Sequence, residues 1–573
     1  MTTTAPAKLI LDHVYDHEAA QPDKVFLTQP IGGGQVIDTT WGQMMDQSRR
    51  MAAHLKSLGL APGARIALLA KNSAHFVMAE LAIWMAGGTT VAIFPTETAY
   101  NVRFVLDHSG ASLLFIGKLD GWDDQKSAVP ASLPCIELPL APHTGFDTWD
   151  SIIARTPPLG GRPARAESDL AMLLYTSGST GQPKGVMQSF GRISRVAEAS
   201  VGDAELKLPD GVERRMLSYL PLAHAYERSG LQCMNLVEGK GRIFFSESLT
   251  SFVADIQRAR PTVFQSVPRL WFKFQQGVLA SMPAAQLDAL LDNPATQAAV
   301  GRKVLAGLGL DETRMAFSAS APVPPALLHW YRRLGLPMFE GYGMTEDFAY
   351  SHRTTATHNA PGHVGSQAPG VQVRIAEGGE ILIKSPGQLV GYYKRPELDA
   401  ESFTDDGYFR TGDLGELRPD GQLKVTGRVK ELFKTAKGEY VAPAPIENRL
   451  NMHPMMEIAM VSGVGQSAPY AVVVLTETLR PKLENPETRA QVRAQVEAEL
   501  GALLEDVNKG LIAHERLRML VVSLEPWTIE NGSLTPTMKI KRSRIEASVA
   551  QQVEGWYAAQ GGVVWATPLH ARP

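Results

Sequence analysis

The segment Tyr175-Thr176-Ser177-Gly178-Ser179-Thr180-Gly181-Gln182-Pro183-Lys184-Gly185-Val186 gathers hydroxyls, glycines and one lysine in a single loop. Glycine lets the backbone curl until successive N–H groups converge, Ser and Thr add donors, and Lys184 adds positive charge. Together they make an anion-binding nest suited to phosphate. The pattern is not a Walker A loop, which needs Gly-Lys followed by Ser or Thr, because Lys184 stands between Pro183 and Gly185. A flexible Ser/Gly linker would have no need of the apolar run Leu170-Ala171-Met172-Leu173-Leu174 that flanks it.

At 573 residues the chain exceeds what one ordinary core supports, so at least two domains are expected. A net charge of -3 with 20% charged residues gives no basic footprint for nucleic acid. Cys135 and Cys233 are too few for a disulfide framework and read as buried fillers in a reducing compartment. The start of the chain, Met1 to His17, lacks the pattern of a signal peptide, which makes the cytoplasm the expected location. The most apolar window, Phe76 to Phe94, is broken by Glu80, Gly87, Gly88, Thr89 and Thr90, and reads as a buried helix followed by a buried strand. Peripheral contact with lipid and the oligomeric state stay open.

Outward from the loop, the period of the apolar pattern switches repeatedly. Ile66 to Ala70 is followed by a helix opened by Asn72 or Ser73, then Val91 to Phe94, a helix around Tyr100 to His108, and Leu113 to Ile116. Strands alternating with helices over short connections predict a parallel sheet covered on both faces. A similar alternation at Arg242 to Phe245, Phe252 to Arg260 and Thr262 to Phe264 predicts a second α/β layer set. After Gly365 the texture changes to short strands, including a hairpin from Leu414 to Thr426 turned by Pro419-Asp420-Gly421. Beyond it lie a charged helix near Pro486 to Leu504 and a final helix near Ser543 to Tyr557.

Together with further segments in the same order, the phosphate loop resembles that of the adenylate-forming superfamily, which includes acyl-CoA synthetases, peptide-synthetase adenylation domains and luciferases. The resemblance runs from about Arg65 to Arg542. It implies a large, multi-subdomain N-terminal α/β part, 1–429, that binds ATP and the acyl group. A small, mobile α+β C-terminal domain, 430–573, would carry the catalytic lysine. Thr176, Ser177, Gly178, Ser179, Thr180, Gly181 and Lys184 would hold phosphate. In Gly341-Tyr342-Gly343-Met344-Thr345-Glu346, Gly341 and Tyr342 would receive the adenine, Thr345 the α-phosphate, and Glu346 would ligate Mg2+, a hard cation that takes oxygen ligands. Asp413, in Tyr408-Phe409-Arg410-Thr411-Gly412-Asp413, would accept both ribose hydroxyls. Arg428 would reach the ribose too, and Lys430 occupies the family's hinge position. Lys539, in Leu534-Thr535-Pro536-Thr537-Met538-Lys539, would offset the charge that builds when a carboxylate attacks the α-phosphate, although Lys541 and Arg542 stand close by. His224, in Leu220-Pro221-Leu222-Ala223-His224, would sit near the substrate carboxylate.

For the substrate, the resemblance favours long-chain fatty acyl-CoA synthetases. It rests on the runs Leu220 to Arg228, Pro261 to Leu270 and Lys434 to Pro443, with Lys434 counted among the nucleotide-binding residues. No Asp occurs between Asp210 and Asp255, where amino-acid-activating relatives hold the substrate ammonium. Phe264, Leu270, Trp271 and Phe274 either line an alkyl tunnel or form helix core. Phe190, Ala319 and Lys437 depart from the family pattern, replacing a usual His, Gly and Gly, which leaves the acyl-chain profile open. The implied reaction makes acyl-AMP from a carboxylic acid and ATP, then transfers the acyl group to coenzyme A. An acyl-AMP ligase serving a carrier protein, and a ligase for aryl or bile-type acids, are the alternatives.

Overall fold

The computed structural model describes residues 8–177, 182–535, 538–559 and 561–567. The chain divides into two compact units, Met1–Val373 with Ile383–Arg410, and Arg374–Leu382 with Thr411–Pro573. The hairpin after Gly412 thus groups with the smaller unit.

The alternation read between residues 65 and 116 is present. Strands Arg65–Leu69, Thr89–Ile93 and Leu113–Ile116 run parallel and are linked by helices Ala74–Met85 and Ala99–Ser109. Ser73, not Asn72, opens the first helix: its hydroxyl accepts the Phe76 N–H at 3.2 Å, a cap worth about 1 kcal/mol. Every residue of that helix except His75 is buried, including Glu80, whose carboxylate pairs with the equally buried Arg228. These strands belong to an eight-stranded sheet that also holds the antiparallel pair Leu170–Ser177 and Pro183–Ser189, edged by Gly391–Tyr392.

The second alternation has the expected elements, divided between two sheets. Strand Arg242–Phe245 joins a four-stranded sheet beside Arg215–Ser218 and Val25–Gly32, while Val263–Ser266 begins a separate five-stranded sheet with Met315–Ser318 and Met338–Tyr342. Local periodicity selects strand or helix. The partner strands come from distant sequence, so this run contributes one strand to each of two further sheets.

Phe264, Trp271 and Phe274 are core, not tunnel. Trp271 is fully buried, with its ring centroid 5.3 Å from Phe264 and 4.9 Å from Tyr331, and Leu270 packs half-buried against the same cluster. Phe190 is buried as well, edge-on to Trp84 and beneath the Arg165 guanidinium, so the residue that departs from the family pattern serves packing.

In the smaller unit, strands Met456–Ser462, Tyr470–Leu475, Leu520–Ser523 and Val563–Trp565 form one sheet. The long helix Pro486–Lys509 buries Val492, Val496, Leu500, Leu504 and Val507, a stripe at near-helical spacing, against one face. The expected final helix is two, Arg542–Val549 and Val553–Ala558, joined by a 3-10 turn. Strand Val563–Trp565 was not anticipated; three apolar residues carry too little pattern to show a strand. Among the described residues no helix is long and apolar enough to cross a membrane. Both cysteines are free, Cys233 buried and Cys135 half-buried.

Candidate active site

The loop before His224 is held by a side chain from far away in sequence. Asn72 donates to the Leu220 carbonyl at 2.7 Å and accepts the Leu222 N–H at 3.0 Å. His224 then caps the short helix Ala225–Glu227, its Nδ1 accepting the Tyr226 N–H at 3.1 Å. A ring that accepts at Nδ1 carries its proton on Nε2, so His224 presents a donor from that edge. The next residues, Arg228–Cys233, form a π-helical stretch of the kind often found at functional sites.

Gly341 and Tyr342 end a strand, and Thr345–Asp347 turn in a 3-10 helix. Asp347, fully buried, accepts the backbone N–H groups of Met344 at 2.8 Å and Tyr350 at 3.2 Å and so fixes this loop. Burial pushes its carboxyl up to about 7 against those hydrogen bonds. Gly343 is required by close approach: a Cβ there would lie 2.8 Å from the Ala349 carbonyl carbon.

Glu346 is linked to the phosphate loop through a residue the sequence did not mark. The Tyr392 hydroxyl donates to Glu346 Oε1 at 2.8 Å, while Lys184 Nζ lies 5.3 Å from the centre of the same ring. Burial, and then the Glu346 charge, push the Tyr392 pKa far up, so it stays a donor. Strand pairing sets Thr176 opposite Lys184. Gly178, Ser179, Thr180 and Gly181, together with the Ser177 side chain, lie outside the described residues. Among the described residues no three acidic, His or Cys side chains converge as a metal cage. One oriented carboxylate beside a phosphate loop suits magnesium, which fills most of its shell from phosphate and water.

A cavity of about 130 Å3 in the larger unit is lined by His224 and Gly341 to Met344 together with apolar side chains such as Met216, Val263 and Phe317. Ala319, one of the departures from the family pattern, is part of its wall.

The smaller unit carries the remaining candidates. Asp413 and Arg428 pair across its hairpin. Lys434 is exposed in strand Phe433–Lys434, its ammonium 5.3 Å from the Tyr440 ring centre. Lys539 is exposed at the end of a tight turn: Thr535 N–H donates to its carbonyl at 2.8 Å, and its own N–H donates to Thr535 Oγ1 at 3.1 Å. Pro536 and Thr537 lie outside the described residues. Arg542, by contrast, is half-buried, donating to Glu447 and the Val461 carbonyl.

The bracing role of Asn72 and the part played by Tyr392 were missed because each acts on a motif remote in sequence, and Asp347, which holds its own neighbours, belongs to no spacing pattern. Of the three, only Asp347 adjoins a recognised segment.

The mixed α/β sheets of the larger unit and the four-stranded sheet with its helices in the smaller one are the architecture of the adenylate-forming fold. The chain belongs to the AMP-binding enzyme family, matching it over residues 14–393 and matching the AMP-binding enzyme C-terminal domain over 431–561. It is 30% identical to the long-chain-fatty-acid–CoA ligase FadD15 of Mycobacterium bovis, over 95% of this chain and 96% of that protein. It is 28% identical to long-chain-fatty-acid–CoA ligase 1 of Homo sapiens, over 88% of this chain and 80% of that protein. The adenylation domain of a Mycobacterium chelonae carboxylate reductase has the same fold, with a TM-score of 0.81 at 21% identity, covering 97% of this chain and 92% of that one.

Proposed function

We propose that the protein is an ATP-dependent acyl-CoA synthetase acting on long-chain carboxylic acids. The observation that carries this is the Lys184–Tyr392–Glu346 arrangement, a cation and an oriented carboxylate beside a phosphate loop, in a chain that matches long-chain-fatty-acid–CoA ligases over nearly its whole length.

In the first half-reaction the substrate carboxylate attacks the α-phosphorus and pyrophosphate leaves. Thr345, Lys184 and the Nε2–H of His224 bind and orient the anionic groups, Tyr342 stacks on the adenine, and Asp413 with Arg428 holds the ribose. Lys539 offsets the charge that builds at phosphorus. Glu346 would hold Mg2+, whose role is to neutralise the polyphosphate. In the second half-reaction the coenzyme A sulfur attacks the acyl carbonyl, the bond to phosphate breaks and AMP leaves, with the thiol proton passing to solvent. Lys430 is the proposed pivot between the two states.

Incubation with ATP, magnesium, a panel of carboxylic acids and coenzyme A, followed by mass analysis, tests this reading. Acyl-CoA and AMP in equal amounts support it. Acyl-AMP without thioester points to a carrier-protein acceptor, and no AMP from any acid overturns the reading.

A further inference from the structure

The cavity of about 130 Å3 beside His224 is small for the acid it is to hold. An apolar cavity of about 150 Å3 takes one benzene ring, and pockets for small organic ligands run from about 300 Å3 upward. As it stands the cavity therefore encloses about six carbon atoms. The rest of a long acyl chain needs space that one of the walls must yield.

The walls differ in how firmly they are built. Met216, Val263 and Phe317 stand on strands Arg215–Ser218, Val263–Ser266 and Met315–Ser318, each paired with neighbouring strands, and Met234 opens the helix Met234–Glu238. Leu206 comes from one 3-10 turn, Ala204–Leu206. Ala204 and Glu205 are exposed, as is Lys207 beyond them, so at Leu206 the wall is a single turn thick. Two arginines tie this turn down. Arg214 donates to the Leu206 carbonyl at 3.0 Å and is itself paired with Glu238 at 2.8 Å. Arg353 pairs with Asp203, whose carboxylate also accepts the Glu205 N–H at 2.9 Å and caps the turn. The backbone hydrogen bonds of Leu206 and Lys207 N–H go to the Asp203 and Ala204 carbonyls, inside the turn. It can therefore shift as one piece by releasing side-chain ties, without opening a sheet.

Resting on the acyl-CoA synthetase reading above, we propose that the turn Ala204–Leu206 is the wall that gives way to a long acyl chain, and that Leu206 sets which chain lengths the protein accepts. Short acids fit the cavity with the turn in place. Longer ones displace Leu206 and loosen the ties to Arg214 and Arg353, so the cost of opening falls on long chains alone. A larger side chain at this point overfills the space a long chain needs, and a smaller one frees it.

The test takes the ratio of kcat/KM for AMP release with octadecanoate to that with hexanoate, in wild type and in Leu206→Trp, Leu206→Ala and Asp203→Asn. Leu206→Trp is expected to lower the ratio by about tenfold or more. Leu206→Ala, which trims the wall, and Asp203→Asn, which keeps the cap but weakens the tie to Arg353, should each raise it severalfold. A purely structural role would depress both acids together and leave the ratio intact. Folding of each variant is checked by thermal unfolding, and the two Leu206 variants carry the test if Asp203→Asn unfolds. Octadecanoate left unused by the wild type, or a ratio that neither Leu206 variant moves, overturns the proposal. No AMP release by the wild type with any acid would instead overturn the ligase reading itself.

Discussion

Arg428 Nε donates to Asp413 Oδ1 at 2.9 Å, and the two residues are direct partners in the register of their strand pair. The Asp413 side chain is only 9% exposed and the Arg428 side chain 55%, so the carboxylate is the anchored member and the guanidinium the rim. If Asp413 holds the ribose, Asp413→Asn keeps the shape and removes the charge-assisted bonds. The KM for ATP in pyrophosphate exchange should rise about ten- to a hundredfold. Arg428→Lys keeps a charge but loses the fork and should cost less. Equal ATP affinity in both variants and wild type would remove the pair from the nucleotide site.

Lys539 and Arg542 are separated by their surroundings. Lys539→Ala should slow acyl-AMP formation by about a hundredfold or more while sparing thioester formation from supplied acyl-AMP. Arg542→Ala leaves the buried Glu447 carboxylate unpaired and should act on stability, by about 3–5 kcal/mol in denaturant unfolding. Adenylation at wild-type rate by Lys539→Ala would shift attention to Lys541.

Glu346→Gln should weaken Mg-ATP binding and depress both exchange and turnover. Tyr392→Phe removes the hydroxyl that donates to Glu346 while keeping the ring near Lys184. A few-fold rise in the magnesium concentration needed for half-maximal rate is expected, with smaller loss at saturation. An unchanged magnesium titration in both variants places the metal on another carboxylate.

Lys430 is the middle residue of the 3-10 turn Val429–Glu431. Residues in such a turn have φ near -50 to -70°, which includes the value of about -65° that proline imposes. Lys430→Pro should thus keep carboxylate-dependent pyrophosphate exchange and lose most acyl-CoA production, whereas Lys430→Ala retains much of both. Full thioester synthesis by the proline variant places the pivot elsewhere.

Glu227 gives the fold a pH dependence. It accepts hydrogen bonds from Ser218, Gln265 and the Tyr219 N–H, yet burial pushes its carboxyl from 4.5 up to about 8. Between those values the folded chain binds one more proton than the unfolded chain, so stability falls as pH rises, by about 1.4 kcal/mol per unit for this group. Glu340 and Asp347, raised to about 7, act in the same direction over a shorter interval. His75 and His352, lowered to about 4 from 6.5, act oppositely: their contribution is complete above 6.5 and is lost as pH falls. From 7 to 8 Glu227 is the main remaining contributor among these, and Glu227→Gln should flatten the denaturation midpoint over that interval. An equal slope in wild type and variant would show that Glu227 ionises normally.

The strands that flank the phosphate loop, the strand end and turn at Gly341–Glu346 and the alternation from Arg65 to Ile116 were legible because each is written in contiguous residues. A helix cap or a parallel crossover depends on neighbours a few positions apart. Tertiary structure decided what depends on distance. Asn72 bracing the His224 loop, Tyr392 joining Lys184 to Glu346, and Glu80 tolerated in an apolar helix because Arg228 meets it all join residues more than forty positions apart. The same is true of Trp271 and Phe274, whose aromatic run fits tunnel or core equally well until Tyr331 and its neighbours close around them. Hydrophobic pattern shows that a side chain leaves water. It does not show whether protein or substrate replaces the water, because both offer the same apolar contact.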